Sequence, residues 1–171
     1  DGIDQIKNQR VDLAIAARPD DLVSSIHFQT IAAVPLAIIA PTINCLVKQA
    51  WQAETVDWAN LPIILPEHGV ARKRFEQWFR AKHQGRPNVY AQVSGQEALV
   101  SMVALGCGVG LSPIVVVDNS PVKERIQILA DSSIPAFDLG LCCFKKKLED
   151  PIVAEFMAMA NEPFNAAAMS P

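Results

Sequence analysis

A chain of 171 residues, half of them hydrophobic and 19% charged, has enough apolar material for a sizeable core, which excludes a disordered segment. Its formal net charge of −3 excludes a surface that attracts polyanions by overall charge, so no nucleic-acid binding is expected of this stretch. No apolar run reaches the roughly 18 residues of a membrane span, and Asp1-Gly2-Ile3 resembles neither a start site nor a signal peptide, so the chain reads as a fragment.

Ile3 and Ile6, three apart ahead of Lys7-Asn8-Gln9-Arg10, predict the last turns of a helix. A strand follows over 11–16, ended by the loop Arg18-Pro19-Asp20-Asp21. A second strand is expected over 25–31. The apolar run 34–40, closed by Pro41, predicts a strand buried on both faces. Residues 42–60 read as a loop anchored by Trp51 and Trp58. After a short strand over 61–65, Pro66-Glu67-His68-Gly69 turns into a helix over 70–82. Its buried stripe is Ala71, Phe75, Trp78 and Phe79, and Gly85-Arg86-Pro87 stops it.

Residues 89–93 alternate as a strand. Ser94-Gly95-Gln96-Glu97 has the form of a capping box, so a helix is expected to start at Gln96, bury Ala98, Leu99, Met102 and Leu105, and end at Gly106. A strand over 109–111, a brief helix from Pro113 to residue 117, and strands over 125–129 and 137–144 come next. Residues 150–160 predict a last helix with Ile152, Val153, Phe156 and Met159 inward, followed by a frayed tail from Asn161. Strands alternating with helices predict an α/β protein with largely parallel sheets. Cys45, Cys107, Cys142 and Cys143 show no C-x-x-C spacing and read as reduced thiols, which fits the cytoplasm.

Two segments carry a resemblance to a known family. Val11-Asp12-Leu13-Ala14-Ile15-Ala16 resembles the x-D-L-A-I strand of the effector domains of LysR-type transcriptional regulators. Residues 97–113 resemble that family's helix, glycine-rich turn and G-x-x-L-P crossover, with Ser112 where leucine is usual. Residues 101–109, Asn119-Ser120-Pro121, Gly140 and Lys145-Lys146-Lys147 make the chain most similar to members acting in branched-chain amino-acid synthesis.

The resemblance runs from Val11 to about Phe156. It implies two Rossmann-like lobes of the type II periplasmic-binding-protein kind, the first incomplete at its N-terminus. Residues 1–40 would begin the first lobe, 41–110 form the second, 111–160 return to the first, and 161–171 trail as a tail, with a hinge at Ala40, Pro41 and Gly110. It further implies a homodimer or homotetramer that touches DNA only through an absent N-terminal helix-turn-helix domain. The implied ligand is a small carboxylate effector, an acetohydroxy acid, and no cofactor, metal or membrane is implied.

A small anion in an α/β cleft calls for backbone N–H groups where helices begin, at the ends of strands, with a cation nearby. Gly95-Gln96 and the segment from Gly69 to Arg72 meet that requirement. Ser94 either contacts the effector or caps the helix, and the two roles are compatible. Arg72 either pairs with the effector's carboxylate or belongs, with Lys73, Arg74, Arg80, Lys82 and Arg86, to a solvated basic face; a DNA-binding patch would need a wider basic surface.

By the family resemblance Arg18 faces the cleft from the first lobe and Thr42 lies among effector contacts at the crossover; otherwise they are an exposed loop arginine and an ordinary turn residue. His68 is either a donor to a bound oxygen or a surface residue. Gly106-Cys107-Gly108-Val109-Gly110 follows a helix and precedes a strand, the reverse of a dinucleotide fingerprint. His27, His68 and His83 form no nucleophile-base set with any carboxylate, so no catalysis is expected. A solute-binding protein of a transport system is the alternative of the same architecture.

Overall fold

The computed structural model describes residues 2–83, 85–129 and 133–160; the tail expected from Asn161 lies outside them. Its elements are α1 (Gly2–Lys7), β1 (Leu13–Ala17), β2 (Ile26–Val34), β3 (Leu36–Pro41), α2 (Leu46–Trp51), β4 (Pro62–Pro66), α3 (Val70–Lys82) and β5 (Asn88–Val93). They continue with α4 (Gln96–Ala104), β6 (Val109–Pro113), α5 (Ile114–Asp118), β7 (Ile126–Leu129), β8 (Phe137–Phe144) and α6 (Pro151–Met159). The chain divides into two units, Asp1–Ala33 with Asp138–Pro171, and Val34–Phe137.

The first unit is a three-stranded sheet in the order β1-β8-β2, with β1 antiparallel to β8. Side chains alternate across it. Ala16, Ile26 and Cys142 meet Ile3 and Ile6 of α1 on one face, while Leu141 and Cys143 meet Val153 and Met157 of α6 on the other. Neighbouring Cys142 and Cys143 thus serve two different cores. Burial first, then the Cys143 thiol beside it, pushes the Cys142 thiol up to about 11, and all four cysteines are free thiols.

The second unit is a five-stranded sheet in the order β5-β4-β6-β3-β7. Its pairing is mixed, not largely parallel: β4 runs parallel to β5 and β6, but β3 runs antiparallel to β6 and β7. Every residue of β3 is buried, as a strand sandwiched between layers requires. Ile38, Ile63, Leu65 and Leu111 face Phe75, Trp78 and Phe79 of α3 on one side. Ile39 and Ile64 face Leu99, Val100 and Val103 of α4 on the other. Gly110 makes that second contact possible, since a Cβ there would stand 2.8 Å from Leu99 Cδ2 and 2.9 Å from the Ile64 carbonyl.

Three local expectations need correction. Residues 42–60 are not all loop: α2 begins where the Cys45 sulfur accepts from the Lys48 N–H at 3.4 Å, a weak cap that leaves little trace in sequence. Helix α4 buries Leu99, Val100, Val103 and Ala104, whereas Ala98 is exposed and Leu105 is 65% exposed. Helix α6 buries Val153 and Met157 while Ile152, Phe156 and Met159 face outward. Both helices carry apolar residues on more than one side, so periodicity alone does not choose the packed face.

Candidate functional site: the helix starts beyond β4 and β5

The register of the parallel pair β4–β5 sets Pro66 opposite Val93, and the Glu67 N–H donates to the Val93 carbonyl at 3.0 Å. The two chains therefore leave the sheet side by side. Three residues past Pro66 the chain reaches Gly69 and enters α3; two residues past Val93 it reaches Gly95 and enters α4. Gly69 (φ 99°) and Gly95 (φ 92°) are the N-caps, and neither helix has a side-chain cap bond.

A Cβ added at either glycine would meet nothing within 4 Å, so the side of the backbone on which it would stand is open at both. The first amides of a helix lack intrahelical acceptors and carry the positive end of its dipole. This edge of the sheet therefore presents two adjacent sets of donors suited to an anion.

Gln96 opens α4 half-buried, and its Oε1 is a buried acceptor with no hydrogen-bond partner among the described residues. Ser94 is exposed, and the N-cap of α4 is Gly95, so the capping role expected of Ser94 is not taken up. Arg72 lies in the first turn of α3 with its guanidinium already engaged. Nε bonds Glu76 at 2.9 Å, and Nη1 donates to the Pro66 and Glu67 carbonyls at 3.0 and 3.2 Å and to Gln92 Oε1 at 2.9 Å. It ties α3 to the ends of β4 and β5. His68 is exposed in the turn between β4 and α3.

Thr42 is not part of this constellation. Because β3 runs antiparallel to β6, and β6 parallel to β4, the end of β3 lies at the opposite edge of the sheet from Gly69 and Gly95. There the Thr42 hydroxyl donates to the Glu124 carbonyl at 3.2 Å, and the Thr42 carbonyl accepts from Lys48 Nζ at 2.8 Å. Ala40 and Pro41 pair with Gln127 and Ile126 inside the same sheet, where Gly110 also lies, while the chain changes unit after Ala33 and again after Phe137. Arg18 belongs to the first unit; its N–H donates to the Asp138 carbonyl at 2.8 Å and its exposed guanidinium stands 5.7 Å from the Phe28 ring centre.

Sequence reasoning passed over Ser112, a wholly buried polar side chain in β6. It shares the α4-facing side with Gly110, one pleat further toward the edge where Gly69 and Gly95 lie. Among the described residues its hydroxyl donates only to the next carbonyl, that of Pro113, at 3.3 Å. The one signal was its departure from leucine in the crossover motif. Among the described residues no group of three or more His, Cys, Asp or Glu side chains is placed to hold a metal, and no helix is long and apolar enough to cross a membrane.

Paired helix starts beyond parallel strands, as in the Val34–Phe137 unit, are where α/β proteins take up small anionic ligands. The family model described as the LysR substrate binding domain matches residues 1–164, and the chain belongs to that family. It is 43% identical over 158 residues to the HTH-type transcriptional activator IlvY of Haemophilus influenzae, covering 92% of this chain and 54% of the relative. To the HTH-type transcriptional regulator IlvY of Escherichia coli it is 41% identical over 160 residues, covering 91% of this chain and 54% of the relative.

The chain thus spans about half the length of the curated relatives it matches. Each of these relatives is named a transcriptional activator or regulator, and neither an enzyme. Among solved structures, the effector binding domain of QuiR in complex with shikimate superposes with a TM-score of 0.71 at 18% identity, covering 92% of this chain and 74% of that one. The regulatory domain of Synechocystis PCC6803 CcmR in complex with 2-PG does so at 0.71 and 20%, covering 93% and 78%. These likenesses show the fold.

Proposed function

We propose that this domain binds an acetohydroxy acid and, within a longer cytoplasmic LysR-type regulator, controls genes of branched-chain amino-acid synthesis. The observation that carries the reading is the pair of glycine-capped helix starts, side by side beyond β4 and β5, neither with a side-chain cap. A carboxylate accepting from those amides would meet the positive ends of two helix dipoles. The tertiary hydroxyl of an acetohydroxy acid would supply the donor that Gln96 Oε1 lacks. The 40 to 43% identity to proteins named IlvY supports the choice of pathway.

Regulation then requires that the effector bind one state of the protein more tightly than another, since equal affinity for both shifts nothing. In the whole regulator those states belong to a homodimer or homotetramer that presents helix-turn-helix domains to DNA. Calorimetric titration of acetolactate into the chain tests the site. Saturable binding is expected, with no binding of acetoin, which keeps the hydroxyl and ketone but lacks the carboxylate. Gln96→Ala should weaken acetolactate about tenfold, the value of one lost hydrogen bond to a charged or buried group. Arg18→Ala, whose effector role rests on the family resemblance, belongs in the same series. Equal affinities for acetolactate and acetoin would overturn the reading.

A further inference from the structure

A second concavity lies elsewhere in the Val34–Phe137 unit. It has a volume of about 590 Å3, runs along the flank of α3, and reaches the loop that leads into β5. Its floor is apolar, with Leu65, Phe79 and Val89, and its rim carries Arg72, Arg80 and Arg86. Among the described residues Glu76 is the one carboxylate lining it, and it is already bound to Arg72 at 2.9 Å. The Arg80 Nε donates to the Glu76 carbonyl at 3.3 Å, and Arg86 has no hydrogen bond or ion pair among the described residues.

Arg80 and Arg86 are exposed and have no carboxylate partner among the described residues, so an anion held between them over the apolar floor would gain two charge-assisted contacts. We propose that this pocket is a second small-molecule site, for a carboxylate that carries an apolar or aromatic body. Its carboxylate-binding residues, Arg80 and Arg86, are separate from the effector site above, although Arg72 stands beside both. That site lies where β4 and β5 end, whereas Arg80 and Arg86 stand by the later turns of α3 and the start of β5.

Each part of the proposed ligand answers a feature of the pocket. A small ligand fits because the volume falls within the roughly 300–1,000 Å3 usual for such sites. The body replaces water over Leu65, Phe79 and Val89, while the carboxylate takes the paired N–H groups that a guanidinium offers. Arg72, paired with Glu76 and held by four acceptors, stays in place as part of the wall, and the positive charge open to a ligand is that of Arg80 and Arg86.

The test is an NMR titration of the 171-residue chain with phenylacetate, followed at the Leu65 and Val89 methyl groups. Saturable shifts are expected with phenylacetate, and none with phenylacetamide or acetate, which lack the charge and the body respectively. The double variant Arg80→Ala with Arg86→Ala should raise the midpoint at least about tenfold. Acetolactate binding should be unchanged in that variant, because neither arginine belongs to the effector site; this separates failure of one site from failure of the other.

Shifts of equal size with phenylacetamide, or an unaltered midpoint in the double variant, would overturn the proposal. So would methyl signals that move with protein concentration and not with phenylacetate, which would give this face to a second copy of the chain, docked beside the open edge of β5.

Discussion

Gly95 is held at φ 92° and ψ 143°, and Gly69 at φ 99° and ψ −177°, a region of backbone space that side chains resist even where there is room for them. Since a Cβ at Gly95 would touch nothing within 4 Å, the cost of Gly95→Ala is conformational alone. We expect a loss of about 1–3 kcal/mol in urea unfolding, with little change in the slope. Ser94→Ala should stay within about 0.5 kcal/mol, because its hydroxyl caps nothing. A loss of about 1 kcal/mol at Ser94, the usual value of a side-chain cap, would instead start α4 one residue earlier and undo the argument for open donors. The absence of a side-chain cap is thus the residue-level feature on which the anion site depends.

At the scale of elements, α6 gives the sharpest contrast between composition and packing. Ile152 is 70% exposed and Phe156 51%, while Val153 and Met157 lie against Leu141 and Cys143. Ile152→Gln and Phe156→Gln should each change stability by no more than about 0.5 kcal/mol, whereas Met157→Ala should cost about 2 kcal/mol or more. Equal losses at Phe156 and Met157 in thermal unfolding would mean that the helix turns its other side to the sheet.

The same contrast explains what could be read in the sequence. Helices α3 and α4 and the strands before them were legible because apolar periodicity and glycine punctuation agree there, and the parallel β-α repeat brings Gly69, Gly95 and Gln96 to one edge. The packed faces of α4 and α6 were not legible, because each helix is apolar on several sides. Nor was the place of Thr42, because strand direction depends on which strand pairs with which, and no local residue encodes that β3 runs against β6. Ser112 stood out only as a departure from the motif, and its burial was not legible because a serine between leucine and proline resembles a turn residue until the strand around it proves buried.

The whole molecule distributes its stability unevenly. The Val34–Phe137 unit is one unbroken stretch of chain with five strands and a buried cluster on each sheet face. The other unit draws two distant stretches together around three strands, so forming it requires closing a long loop before its contacts are gained. A fragment of residues 34–137 should therefore fold by itself, with a single cooperative urea transition. Its slowest amide exchange should fall in β3, β4 and β6, the inner strands, and faster exchange in β5 and β7 at the edges. Acetolactate binding by the fragment carries the argument one step further. The amides at Gly69 and Gly95 and the Gln96 side chain are all within it, so residual affinity measures what this unit contributes alone. A fragment that binds a hydrophobic dye and unfolds without cooperativity would show that the five-stranded sheet needs the rest of the chain, and that its two core layers do not suffice.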